Sequence, residues 1–273
     1  GTHTGAVGQS PAVRRRQEPL LTEILPAEVR AVEAVVARYQ RVAPAVTRFA
    51  RSLAGDDDLR VRLGSRTSAS PGEIVMDPGL FQAAYTRRAP VTPSEVALAA
   101  ALHEAVHLVA TDFDERRPLP PEWFPDRDEP LSEDPVPLLA ALDRAGGLAA
   151  EAMFLAVEDA RQEAQHLDVY PGARSVLGDL YRAAVPAAMG RARPMGQFAL
   201  GCFLAIGGYQ DLEAVQRGTE PAVTMALEEA RELIAEARVA PGPWEAAAIA
   251  LGLLAVAREH GLLTEASPVE SRS

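Results

Sequence analysis

The sequence predicts an α+β fold that is mostly α-helical, with one small sheet near residues 59–77. Apolar residues recur three and four apart over most of the chain, the period of helices with one buried face. Two stretches break that period. "LRVRLGS", residues 59–65, alternates apolar and charged positions, and "GEIVMDPG", residues 72–79, is a short apolar run between turn signals.

From Leu20 to Leu53 the apolar positions Ile24, Val29, Val32, Val35, Val36 and Tyr39, then Val42, Val46, Phe49 and Leu53, read as two helices divided at Pro44. The two strands follow, with "SRTSASPG" between them as a loop. Thr92, Pro93 and Glu95 supply an N-cap, a proline at the first helical position and a carboxylate three residues after the cap, so a helix starts there. "DERRPLPPEWFPDRDEPLSEDPVP", residues 114–137, is rich in proline and charge and reads as a long exposed loop. A second long helix is expected from about Pro137 through His166, interrupted at Gly146 and Gly147, with Ala149 to Val157 apolar all round apart from Glu151. Further helices are expected near residues 174–190, 194–209, 220–238 and 244–260. Residues 1–18 read as a disordered leader or cloning scar, 19–264 as a single domain, and 265–273 as a disordered polar tail.

Composition narrows the function. The net charge of -11, from 27 basic and 38 acidic residues, disfavours nucleic acid as a partner. A single cysteine, Cys202, excludes an intramolecular disulfide and a thiolate metal cluster, so any metal must be held by His, Asp and Glu. The runs "FALGCFLAIGG" and "AAAIALGLLAVA" fall short of the roughly 20 residues that cross a bilayer and read as core helices. No membrane partner and a cytoplasmic location are the corresponding expectations.

The chemistry concentrates in "HEAVH". His103 and His107 stand one helical turn apart, so both imidazoles project from one face and can meet a single ion. This is the HExxH pattern, in which two histidines hold Zn2+ and the intervening Glu104 acts as general base on a metal-bound water. Two core histidines bonded to carbonyls are the plain alternative, but three polar groups within one turn of an apolar helix would each need a buried partner. Catalytic zinc takes a third protein ligand. A third histidine soon after the motif is absent from "HLVATDFDERR", which leaves a carboxylate on a later helix. Glu158 is the expected ligand, with an ion pair to Arg161 as the competing reading. Asp159 and Glu163 are expected to orient a ligand histidine through its second ring nitrogen, and either could take Glu158's place. His166 is a weaker contender. Tyr170, Arg161 and Tyr85 are the residues that could stabilise an oxyanion.

The strand "GEIVMDPG", the HExxH helix and a later helix glutamate together resemble a zincin-like metallopeptidase of the gluzincin type, over about residues 59–166. The resemblance implies a zinc-dependent peptidase acting on a peptide or protein, with the strand lining the substrate cleft. Gluzincins often carry an aspartate four residues after the ligand glutamate, where this chain has Gln162. "VEDARQE" is also similar to a segment of bacterial proteins that carry a von Willebrand A domain, such as cobaltochelatase subunits of the CobT type, which work beside AAA+ ATPases. That likeness implies an alternative: a catalytically silent zincin-fold module that binds metal or a chaperone-like ATPase partner, with residues 114–137 as its docking surface.

Overall fold

The computed structural model describes residues 26–65, 68–77, 97, 101, 103–105, 112, 114–169 and 171–263. Among them the chain is mostly helical, with a small sheet, as the periodicity predicts. The first helix, α1, spans Pro26–Ala54, then come strands β1 (Arg60–Leu63), β2 (Ser68–Ser70) and β3 (Glu73–Met76). Residues 97, 101 and 103–105 are helical and carry His103. Two-residue strands β4 (Arg116–Arg117) and β5 (Val136–Pro137) precede α2 (Leu138–His166), α3 (Pro171–Arg191), α4 (Pro194–Ile206), α5 (Leu212–Gln216), α6 (Pro221–Glu229), α7 (Arg231–Val239) and α8 (Pro243–Glu259). Proline opens α1, α3, α4, α6 and α8, where its missing N–H costs nothing and its fixed φ suits the first turn.

Four expectations differ from the structure. Pro44 does not divide α1. The ring costs a helix about 3 kcal/mol, but Tyr39, Val46 and Ala50 on either side of it are buried in one core, and that shared burial keeps the helix continuous. The serine-rich segment contains β2, which pairs antiparallel with β3, while β1 pairs parallel with the other edge of β3. The stretch expected as one helix over 220–238 is two, α6 and α7, joined at the buried Ala230, a residue with no tendency of its own to break a helix. Residues 149–157 are not buried all round: Met153, Phe154 and Val157 are, but Leu155 is 43% exposed. The break at Gly147 is present, with φ 61° and ψ -152°, a region essentially restricted to glycine.

Two apolar cores flank the His103 segment. The larger is a helical bundle in which α2 packs along α4 and α8, with Phe154, Phe198, Leu253 and Leu254 fully buried. The smaller gathers Tyr39, Val46 and Ala50 of α1, Leu59, and Ile74 and Met76 of β3 against Ala97, Ala101 and Ala105. Those alanines recur every four residues, one face of a helix, and methyl groups let it lie close on the sheet. The sheet therefore packs on the HExxH helix, as the sequence reading expects.

Residues 114–137 are irregular but anchored. β4 and β5 close the base of the loop antiparallel, Trp123 stacks on Trp244 at 5.7 Å between ring centroids, and Arg117 lies 5.5 Å above the Trp244 ring and bonds Glu245 at 3.1 Å. No helix among the described residues is long and apolar enough to cross a membrane. "FALGCFLAI" and "AAAIALGLLAVA" lie in α4 and α8, within the bundle.

Because Phe154 is fully enclosed by the bundle, Phe154→Ala should lower unfolding stability by about 3–5 kcal/mol with an unchanged m value, read from urea denaturation.

Candidate functional site

The residues Glu158 to Gln165 of α2 carry the largest concentration of buried polar groups among the described residues: Glu158, Arg161, Gln162 and Glu163 are each no more than 2% exposed. Burial of this kind demands a partner for each group. Two faces of α2 supply partners of different chemistry.

On one face, Arg161 grips both oxygens of Glu158, Nη2 to Oε1 at 2.7 Å and Nε to Oε2 at 2.8 Å. Gln162 adds a bond from Nε2 to Glu158 Oε1 at 2.9 Å. Arg161 Nη1 also donates to the carbonyl of Ala240 at 3.1 Å and to Gln165 Oε1 at 3.2 Å, fixing α2 to the α7–α8 turn. Gln162, which stands where the gluzincin pattern has aspartate, thus acts on Glu158. Its own Oε1 has no hydrogen-bond partner among the described residues. Reversing the amide would aim that oxygen at the Glu158 carboxylate, so the orientation is fixed by charge.

On the other face stands Glu163. Its Oε1 lies 2.9 Å from His103 Nδ1 and accepts from Tyr181 Oη at 2.9 Å, while Oε2 accepts from Tyr209 Oη. Tyr181 and Tyr209 meet edge to face at 4.7 Å, and Phe203 stacks on Tyr209 at 6.1 Å, so the two phenols are held by aromatic packing. Arg174 completes the wall: it bonds the Glu163 carbonyl at 3.0 Å and lies 5.2 Å over the Tyr209 ring. Burial, reinforced by the charge of Glu163, raises the Tyr181 and Tyr209 hydroxyls above the usual phenol range, so both remain donors at any physiological pH.

Burial alone would depress the His103 imidazole. The bond to Glu163 and the charges of Glu163, Asp159 and Glu104 reverse that and lift it to about 9. His103 is therefore surrounded by negative charge, and Glu104 beside it is only 7% exposed.

Of the residues singled out from sequence, the structure brings together His103, Glu104, Asp159 and Glu163. It places Glu158 in the ion pair with Arg161. His166, half-buried at the end of α2, is pushed down by burial and by the charge of Arg161. His107, Tyr170 and Tyr85 lie outside the described residues. Among the described residues no three His, Cys, Asp or Glu side chains are arranged so that they could hold one metal ion. The sequence reading missed Tyr181 and Tyr209. They come from segments 18 and 46 residues beyond Glu163, and no local spacing marks them.

No family model, curated protein or solved structure matches the chain.

Two outcomes follow. In metal-free protein the raised His103 favours folding fully below pH 6.5, and that contribution is lost as pH climbs from 6.5 through about 9. The melting temperature should fall over that window, and Glu163→Gln should flatten the fall. Arg161→Ala, which strips the buried Glu158 of its cation, should cost about 3–5 kcal/mol by chemical denaturation.

Proposed function

We propose that the chain is a zinc-dependent peptidase whose metal is held by His103, His107 and a carboxylate of α2. The observation that carries this reading is the bond between His103 Nδ1 and the buried Glu163. A histidine anchored through Nδ1 to a carboxylate presents Nε2 as its metal-binding atom, and such a carboxylate fixes the tautomer and raises basicity. The donor set fits a divalent cation, because Glu104, Asp159 and Glu163 together load the surroundings of His103 with negative charge.

Among the α2 carboxylates, Asp159 is a better third ligand than Glu158. The charge of Asp159 acts on His103, whereas Glu158 has its charge matched by Arg161 on both oxygens. A zinc ion in this position supplies Lewis acidity toward a peptide carbonyl and toward water. Glu104 takes the proton of the attacking water and passes it to the leaving amine. Glu163, clamped by two phenols, keeps the His103 ring from turning. Arg161 serves the packing of α2.

Elemental analysis of the purified chain tests the metal, and hydrolysis of a peptide library tests the chemistry. Wild type is expected to hold about one zinc, His103→Ala and Asp159→Ala to lose it, and Glu158→Gln to keep it. Glu104→Gln should keep the metal and lose hydrolysis by about a hundredfold or more. Zinc retained in Asp159→Ala but lost in Glu158→Gln would return the third ligand to Glu158. Zinc binding without hydrolysis by the wild type would replace the peptidase with the silent metal-binding module, and absence of zinc would end both readings.

A further inference from the structure

Residues 114–137 contain eight acidic residues, three arginines and seven prolines. Each proline removes a backbone N–H, so the segment is rich in hydrogen-bond acceptors and poor in donors. Two of its arginines are already committed. Arg116 donates to the Pro135 carbonyl at 3.1 Å, and Arg117 pairs with Glu115 and Glu245. Among the described residues no ion pair includes Glu122, Asp126, Asp128, Glu129 or Glu133, and all five side chains are exposed.

This segment encloses a cleft of about 580 Å³, within the range of roughly 300–1,000 Å³ that ligand sites occupy. The floor is apolar. Leu119 is buried in the larger core, and Phe124 and Leu131 pack half-buried against it. The rim is charged, with Asp128, Glu129 and Glu133 set against Arg127. Backbone bonds from Phe124 to Pro121 at 3.0 Å and from Arg127 to Phe124 at 3.2 Å hold the wall, and the β4–β5 pair closes the base. The cleft is thus formed before a partner arrives, which lowers the entropy lost on binding.

We propose that this cleft docks a basic peptide segment of a partner protein, one in which apolar side chains are flanked by arginine or lysine. The apolar side chains cover the remaining surface of Phe124 and Leu131, and the flanking cations meet the rim. A single small amine would engage one carboxylate and leave the others unmatched. Carboxylates at 128, 129 and 133, on both sides of Leu131 in the chain, match cations spaced along a peptide. The inference does not rest on the peptidase reading, because no residue of the cleft belongs to the His103 site.

The two tryptophans of the chain, Trp123 and Trp244, stack on each other, and Trp123 lies between the cleft residues Pro121 and Phe124. Intrinsic emission therefore reports on the cleft. Titration of the full chain at low salt with the end-blocked peptide Arg-Leu-Arg-Phe-Arg should give a saturable change that weakens as salt is added. The double variant Glu129→Lys, Glu133→Lys should bind about fivefold or more weakly. An equal charge change at exposed positions elsewhere, Asp143→Lys with Glu232→Lys, should bind as wild type, and so should Glu104→Gln. Peptides with glutamate in place of arginine, or serine in place of leucine and phenylalanine, should not bind. The proposal is overturned by no saturable change, by equal affinity of the serine peptide, by unchanged affinity in Glu129→Lys, Glu133→Lys, or by loss of binding in Glu104→Gln. Binding gained only when Arg14, Arg15 and Arg16 are changed to alanine would assign the cleft to the chain's own basic run, and emission that changes on dilution without peptide would assign it to a second copy; each overturns a separate partner.

Discussion

The arrangement of this protein depends on how α2 buries two carboxylates five residues apart. At about 100° per residue they point about 140° away from each other, so no single partner can serve both. Glu158 receives a full positive charge from Arg161 of the same helix, in a bidentate geometry. Glu163 receives two neutral phenols and one histidine, drawn from three other segments. The first solution ties α2 to the α7–α8 turn. The second determines where α3, the end of α4 and the His103 helix must stand.

The difference has chemical consequences. A carboxylate paired with arginine has its charge neutralised at short range, and a second cation gains little from approaching it. Phenols stabilise a carboxylate by hydrogen bonding but leave its charge in place, so its field still reaches neighbouring groups. That field is felt at His103, and it is the reason a buried imidazole is raised to about 9 when burial alone would lower it. The low exposure of Glu104 and the proximity of Asp159 act in the same sense. On the Arg161 face the charge of Glu158 is met by a guanidinium, whereas on the other face the charges of Glu163, Asp159 and Glu104 act on His103.

Local pattern made much of this legible. The long α2 helix and its interruption at Gly147 follow from apolar spacing and a glycine pair, and β1 and β3 follow from two short runs between turn signals. Glu163 was within reach as a histidine-orienting group because it stands four residues after Asp159 on a polar helix face. What spacing could not decide is which face of α2 turns toward His103, since that register is set by the bundle on one side and by Ala97, Ala101 and Ala105 against the sheet on the other. β2 escaped because "SAS" has no strand signature apart from its pairing with β3. The bend at Ala230 escaped because alanine favours the helix it interrupts.

Tyr209 links the Glu163 carboxylate to the Arg174 guanidinium. Its hydroxyl holds Glu163, and its ring carries the Arg174 guanidinium, which in turn bonds the backbone carbonyls of Glu163 and Gly207. A negative charge and a positive charge are thus kept apart by one aromatic side chain and joined by the backbone that positions it. Removing the Tyr209 hydroxyl would relax only the carboxylate, whereas removing the ring would release Arg174 as well. The position of Tyr209, immediately after the left-handed Gly208, explains why the glycine matters to both. It turns the chain at the point where the ring begins, and it lets the guanidinium groups of Arg174 and Arg238 pack where a β-carbon would stand only 3.0 and 2.6 Å from them.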